Sequence, residues 1–258
     1  MTTVLTQLAA ASWFENVKQA VSDWFANLAD RFYTNFILDD MYLYLVDGLK
    51  VTLLITFLAA ILGIIIGFLV AMVKVTYQNT GKLRVLNGFS SLYLTVIRGT
   101  PMVVQLMIFW FVIFKDFTPA IGNPKVYVAV LAFGINSGAY VAEIARSGIL
   151  SIDKGQMEAG RSLGLTYIQT MGKIIMPQAI KNVLPALGNE FIVLLKETSV
   201  CGFIALTDLT KGGDIIRSDT YDAFMPLIAV ALIYLTLVLV FTKILGHFER
   251  RLRQSDNR

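Results

Sequence analysis

The chain of 258 residues holds one cysteine, Cys201, and one histidine, His247. A single cysteine forbids an internal disulfide, and one cysteine with one histidine cannot assemble a metal cluster or a nucleophilic triad. No catalytic residue and no metal site are therefore expected. The sequence also lacks a Gly, four residues, Gly-Lys and then Ser or Thr, so it has no loop of that kind to cradle nucleotide phosphates. Charge is scarce as well. Asp, Glu, Lys and Arg make up 16% of the chain against 56% hydrophobic residues, and the mean hydropathy is +0.66. That balance excludes a soluble domain of this size.

What is abundant is apolar length. Five runs, residues 51–73, 89–114, 126–149, 183–206 and 224–245, are long enough for a hydrocarbon core, which takes about 20 helical residues. Their apolarity is continuous, whereas an outer-membrane barrel would alternate apolar and polar positions. The expected fold class is therefore all-α integral membrane, with five transmembrane helices in residues 48–245. An extracytoplasmic or interfacial segment, residues 1–47, precedes them, and a basic tail, residues 246–258, follows.

Basic residues set the expected orientation. The first connection, the third connection and the tail carry thirteen Lys and Arg, while the amino-terminal segment and the second and fourth connections carry six. The positive-inside rule places the third connection and the carboxyl terminus in the cytoplasm and the amino terminus outside. The net charge of +4 follows from that bias and calls for no nucleic-acid partner. Near the amino terminus Phe14, Val17, Val21, Trp24, Leu28 and Phe32 recur at helical spacing, opposite Glu15, Asp23 and Asp30. This pattern predicts an amphipathic helix, either on the outer membrane surface or packed across the bundle.

The third connection carries the most specific signal. Glu158-Ala159-Gly160, three residues including Arg161, Gly164, nine residues, Ile174, one residue, Met176 and Pro177 read as a short helix, a glycine break and a proline stop. Leu163, Leu165, Ile168 and Met171 supply an apolar side suited to a knob that docks in a partner's groove. The spacing resembles the cytoplasmic coupling motif of binding-protein-dependent ABC importer permeases, with Gly160 in place of a second alanine and Met176 in place of leucine. A second stretch, Arg98-Gly99-Thr100-Pro101 followed by an apolar triple and Gln105, resembles the polar amino acid permeases. So do residues 137–149 (SGAYVAEIARSGI) and 196–200 (KETSV).

The resemblance, to histidine, glutamine and arginine permeases of the type I ABC importer fold, implies a set of partners. ATP and Mg would be bound by a dimer of separate ATPase subunits, and no cofactor by this chain. A second permease, the same chain or a sister chain, would complete the path, because five helices seldom enclose a pore for a polar solute. An extracytoplasmic binding protein would deliver an amino acid, and the whole would sit in a bacterial-type cytoplasmic membrane. Glu158, Ala159, Gly160, Arg161, Gly164 and Pro177 would couple the permease to the ATPase.

Charged side chains inside a span cost at least about 2.5 kcal/mol each, so they face protein or water. Glu143, Glu190, Lys196 and Glu197 interrupt apolar helices in this way. Lys196 with Glu197 offers opposite charges to a zwitterion, and Asn136, Tyr140, Glu143 and Ser147 recur at steps of four, three and four on one helical face. The resemblance implies a substrate site at mid-membrane, and it is carried to Asn136, Tyr140, Glu143, Lys196, Glu197 and Ser199. Arg98, Thr100, Pro101 and Gln105 are assigned to the path or its structure, with Gln105 expected on the same side of the second span as Arg98. A second reading stands beside this one. Lys196 pairs with Glu143 or Glu190 to hold helices together, and Asn136 or Ser137 bonds across a close helix contact eased by Gly134 and Gly138. Two other functions fit the composition: an ion-coupled carrier or channel, and a membrane anchor that docks an ATPase without transport.

Overall fold

A computed structural model describes residues 18–19, 22–24, 26–119 and 122–254. It is 88% helical and has no strand among the described residues. The helices are α1 (Tyr42–Thr80), α2 (Arg84–Gly99), α3 (Met102–Ile108), α4 (Pro124–Leu150), α5 (Lys154–Ser162), α6 (Tyr167–Thr170), α7 (Met176–Glu197), α8 (Leu209–Thr220) and α9 (Phe224–Gln254). Short π turns extend α3 to Ile113 and join α6 to α7, and a 3-10 stretch, Thr198–Ile204, follows α7.

α1 is the mast of the molecule. Its 39 residues measure about 58 Å at the α-helical rise, so it reaches both ends of the bundle. It stops at Gly81, whose φ of +69° closes the helix with a bond from its N–H to the Tyr77 carbonyl. α4 lies against α1 through small residues: a Cβ added to Gly67 would stand 2.4 Å from Val141 Cγ1. Such close backbone approach supplies van der Waals contact where lipid tails offer no hydrophobic gain from helix association.

Among the described residues three helices, Tyr42–Thr80, Pro124–Leu150 and Phe224–Arg250, are long and apolar enough to cross a membrane on their own. The expected second span is not a straight rod. α2 and the α3 segment meet that test only as a pair, bent by 108° at Thr100–Pro101. Pro101 has no N–H to continue the α2 ladder and lies at φ −64°, ψ 138°. α7, with 22 residues, carries Lys181, Glu190, Lys196 and Glu197 and is not among the helices that pass by apolarity.

At the opposite end of α1 from Gly81, the amino-terminal segment is pinned to the bundle. Helix over residues 26–32 leads into a π turn, Tyr33–Ile37, and Phe36 is buried with Leu45, Leu209, Ile216 and Val230. Arg31 grips Asp222 with two hydrogen bonds of 2.9 and 2.6 Å, Asn35 adds one of 2.9 Å to the same carboxylate, and Thr220 donates to Asn35 at 2.7 Å. Arg31 first, then Asn35 and the Phe224 N–H, hold the Asp222 carboxyl down at about 2. The bundle reading of the amphipathic helix thus describes its carboxyl-terminal end. Trp24 and Phe32 are exposed, while Phe14, Val17 and Val21 lie outside the described residues.

Candidate functional site

The third connection folds into a cap at the Gly81 end of α1, tied to it by a hydrogen bond from Asn79 to the Tyr167 hydroxyl at 3.3 Å. Asp153 caps α5 by accepting from the Gly155 N–H at 2.7 Å. α5 ends at Gly164, with φ +82°, where Leu165 N–H bonds the Gly160 carbonyl at 3.1 Å and Gly164 N–H bonds the Arg161 carbonyl at 3.0 Å. That pair of bonds is a Schellman close, which turns the chain sharply enough to start a new helix at Tyr167, three residues on. Thr166 and Gln169 form a reciprocal capping box that opens α6.

The two short helices clasp at Gly160. A Cβ there would meet Thr170 Cγ2 at 2.5 Å and Oγ1 at 2.9 Å, so the glycine is what allows α5 to sit on α6. Met171 and Ile175 turn inward onto Val75, Ile149 and Ala179. Leu163 and Ile168, each 81% exposed, point outward. Of the four apolar residues expected on the knob, Met171 is therefore core.

Pro177 does not stop a helix. It occupies the first turn of α7, and the chain runs from α6 through the π turn Met171–Ile175 into α7 with helical dihedrals at Ile175 and Met176. The wider turn, with Met176 N–H bonded to the Met171 carbonyl, takes up the ladder gap that a proline one residue later creates.

Within the bundle, a cavity of about 470 Å³ opens between α4 and α7, with Arg98 at its edge. Tyr140, Glu143 and Ser147 contribute from α4, and Asn182, Ala186 and Glu190 from α7. The expected stripe on α4 thus delivers three of its four members. Arg98 lies 3.8 Å from Glu143 and stands over the Tyr140 ring with 5.7 Å between the guanidinium carbon and the ring centroid. Arg146 also donates to Glu143. Glu190 accepts from Ser137 at 2.9 Å. The walls therefore present one guanidinium and two carboxylates within reach of one small solute.

The other sequence-predicted residues stand apart. Asn136, 2% exposed, donates to Gln105 at 3.0 Å, while Gln105 donates to the Ile97 carbonyl, the Thr100 carbonyl and the Thr100 hydroxyl. Gln105 is thus a brace that satisfies carbonyls freed at the Pro101 break. The expected common side with Arg98 fails because the helix axis turns there. Lys196 is exposed, Glu197 and Ser199 are half-buried, and none of the three lines the cavity. Lys196 makes no ion pair with Glu143 or Glu190 among the described residues. Sequence reasoning gave Glu190 no role in the site and Arg98 only one in the path. Both were visible as charges in apolar context, but only the packing of α4 on α7 brings them together.

Residues 63–254 match the model of the family described as "Binding-protein-dependent transport system inner membrane component". The chain belongs to this family. The putative glutamine transport system permease GlnP of Rickettsia bellii is 38% identical over 81% of this chain and 93% of its own length. The arginine transport system permease ArtQ of Bacillus subtilis is 38% identical over 83% and 94%. Among solved structures, an amino acid ABC transporter with histidines is 44% identical with a TM-score of 0.73, covering 83% of this chain and 96% of the other. An inward-facing MetNI methionine ABC transporter, 22% identical with a TM-score of 0.71 over 82% and 97%, shares the fold. The protein is a permease component of such importers, and its family implies ATPase and binding-protein partners.

Proposed function

We propose that the chain is the permease of an amino acid importer, and that the Arg98–Tyr140–Glu143–Glu190 cavity is where the amino acid pauses. Arg98 receives the α-carboxylate, and Glu190 receives the ammonium. The observation that carries this reading is that the Arg98 guanidinium and the Glu143 and Glu190 carboxylates line one cavity of about 470 Å³. A zwitterion offers a partner to both signs of charge at once, each through a charge-assisted hydrogen bond. The names of the relatives, glutamine and arginine transport permeases, point to the same substrate class.

Five segments span the membrane in this reading: α1, the bent α2–α3 pair, α4, α7 and α9. The α5–α6 cap faces the cytoplasm and the Arg31–Asp222 corner faces outside. Two permease chains enclose the path and two ATPase subunits bind ATP and Mg. Leu163 and Ile168 seat in the ATPase, so closure on ATP tilts α5 and swings the cavity between outward and inward access. An external binding protein supplies the substrate. Lys196, Glu197 and Ser199, about two turns from Glu190, line the outer approach. An ion-coupled carrier has no use for the α5–α6 cap.

The test is ATP-dependent uptake by the reconstituted complex, comparing Glu190→Gln with the wild type at matched assembly and basal ATPase activity. A loss of about tenfold or more is expected from removing a charge-assisted hydrogen bond. Unchanged uptake would make Glu190 a structural partner of Ser137.

A further inference from the structure

Glu143 divides two cavities. Behind the one between α4 and α7 lies a second, of about 560 Å³, bounded by α1, α2 and α4. Lys74 and Arg146 reach it from α1 and α4, and Asn87, Ser91 and Thr95 face it from α2. The cluster is over-supplied with cations. Glu143 is already held by Arg146 and faced by Arg98, while Lys74 donates only to the Ser91 hydroxyl, at 2.8 Å, and makes no ion pair among the described residues. Lys74, half-buried beside the cavity, shares the single Glu143 carboxylate with Arg146 and Arg98 as its counter-charge, and the Thr95 hydroxyl and Asn87 amide stand on the same lining, a set that favours a further anion.

We propose that this cavity binds the phosphate-bearing head group of an anionic phospholipid. The outer face of α2 says why a lipid rather than a free anion. Val85, Phe89, Leu92 and Val96 recur at steps of four, three and four and are all exposed, opposite the residues that face the cavity. Acyl chains lie along that stripe while the head group reaches round the helix to Lys74. The depth is right for a head group: Lys74 is six residues, about 9 Å, from the Thr80 end of α1, whose Asn79 touches the α5–α6 cap. Basic pockets between spans at this level hold anionic head groups by the same physics. The proposal requires only that the chain sits in a bilayer, and it is independent of which solute is carried.

Native mass spectrometry of the full-length chain with its ATPase partner, titrated with phosphatidylglycerol or phosphatidylethanolamine, tests it. One saturable phosphatidylglycerol per permease chain is expected, bound in preference to phosphatidylethanolamine. Lys74→Gln should weaken it about fivefold, the worth of one basic residue at an anionic surface, and Lys74→Arg should retain it. Ser91→Ala, which removes the hydroxyl that holds the Lys74 ammonium at the cavity, should weaken binding in the same direction and gives a second readout should Lys74→Gln fail to assemble. Equal binding of the two lipids, or no change in Lys74→Gln, would overturn the proposal. Displacement of phosphatidylglycerol by millimolar inorganic phosphate would overturn it in favour of a free-anion site, and displacement by an amino acid in favour of a second station on the transport path.

Discussion

At the residue scale, the bundle keeps its polar atoms paired: among the described residues no buried side-chain nitrogen or oxygen lacks a hydrogen-bond partner. In hydrocarbon an unpaired group costs several kcal/mol, so Gln105 on its three acceptors and Asn136 on Gln105 are what permits a broken helix at Pro101. Gln105→Leu removes that brace. It is expected to lower the thermal transition of the complex, with a cost of about 1–3 kcal/mol from the carbonyls left without it, read by detergent-solubilised melting. The Arg31–Asp222 pair predicts a pH dependence outside the membrane. The Asp222 carboxyl sits at about 2, below the ordinary value near 3.9. Its contribution to docking the amino-terminal segment is therefore full above pH 4 and is lost as pH falls from about 4 toward 2. Protection factors of the amides in residues 26–37, referenced to the intrinsic exchange rate at each pH, should fall across that window in the wild type. In Asp222→Asn those protection factors should already be low at pH 6.

At the scale of elements, the α5–α6 cap depends on a contact that spacing alone did not reveal. Gly160 read in the sequence as a mild exchange for alanine, yet its missing Cβ is the space taken by Thr170. Gly160→Ala is expected to push α5 off α6 and to cut ATP-coupled uptake severalfold while basal ATPase activity persists. Adding Thr170→Ala, which empties that space, should restore coupling. Gly164→Ala costs about 1 kcal/mol through its left-handed backbone. The glycine break and the α5 helix were legible because glycine and capping chemistry act locally. The role of Pro177 was not, since a π turn upstream absorbs the missing donor. The bend at Pro101 was half legible. The proline announced an opened ladder, but the 108° turn depends on where α3 lands against its neighbours.

At the scale of the whole molecule, composition gave the membrane class and the helical fold because bilayer physics leaves few options for a chain this apolar. The cavity was legible only in part. Tyr140, Glu143 and Ser147 share a face of one helix and so could be read by counting, whereas Glu190 and Arg98 join them through contacts between elements far apart in sequence. Lys196 and Glu197 drew attention as adjacent opposite charges, yet adjacent residues on a helix point to different faces. The permease account stands on energy from a partner. The measurement that tests it most directly is uptake of radiolabelled amino acids into proteoliposomes containing the permease, its ATPase and its binding protein, with and without ATP and with and without an ion gradient. The account predicts uptake that requires ATP and all three components and is indifferent to the gradient. Uptake by the permease alone, driven by the gradient, would contradict it.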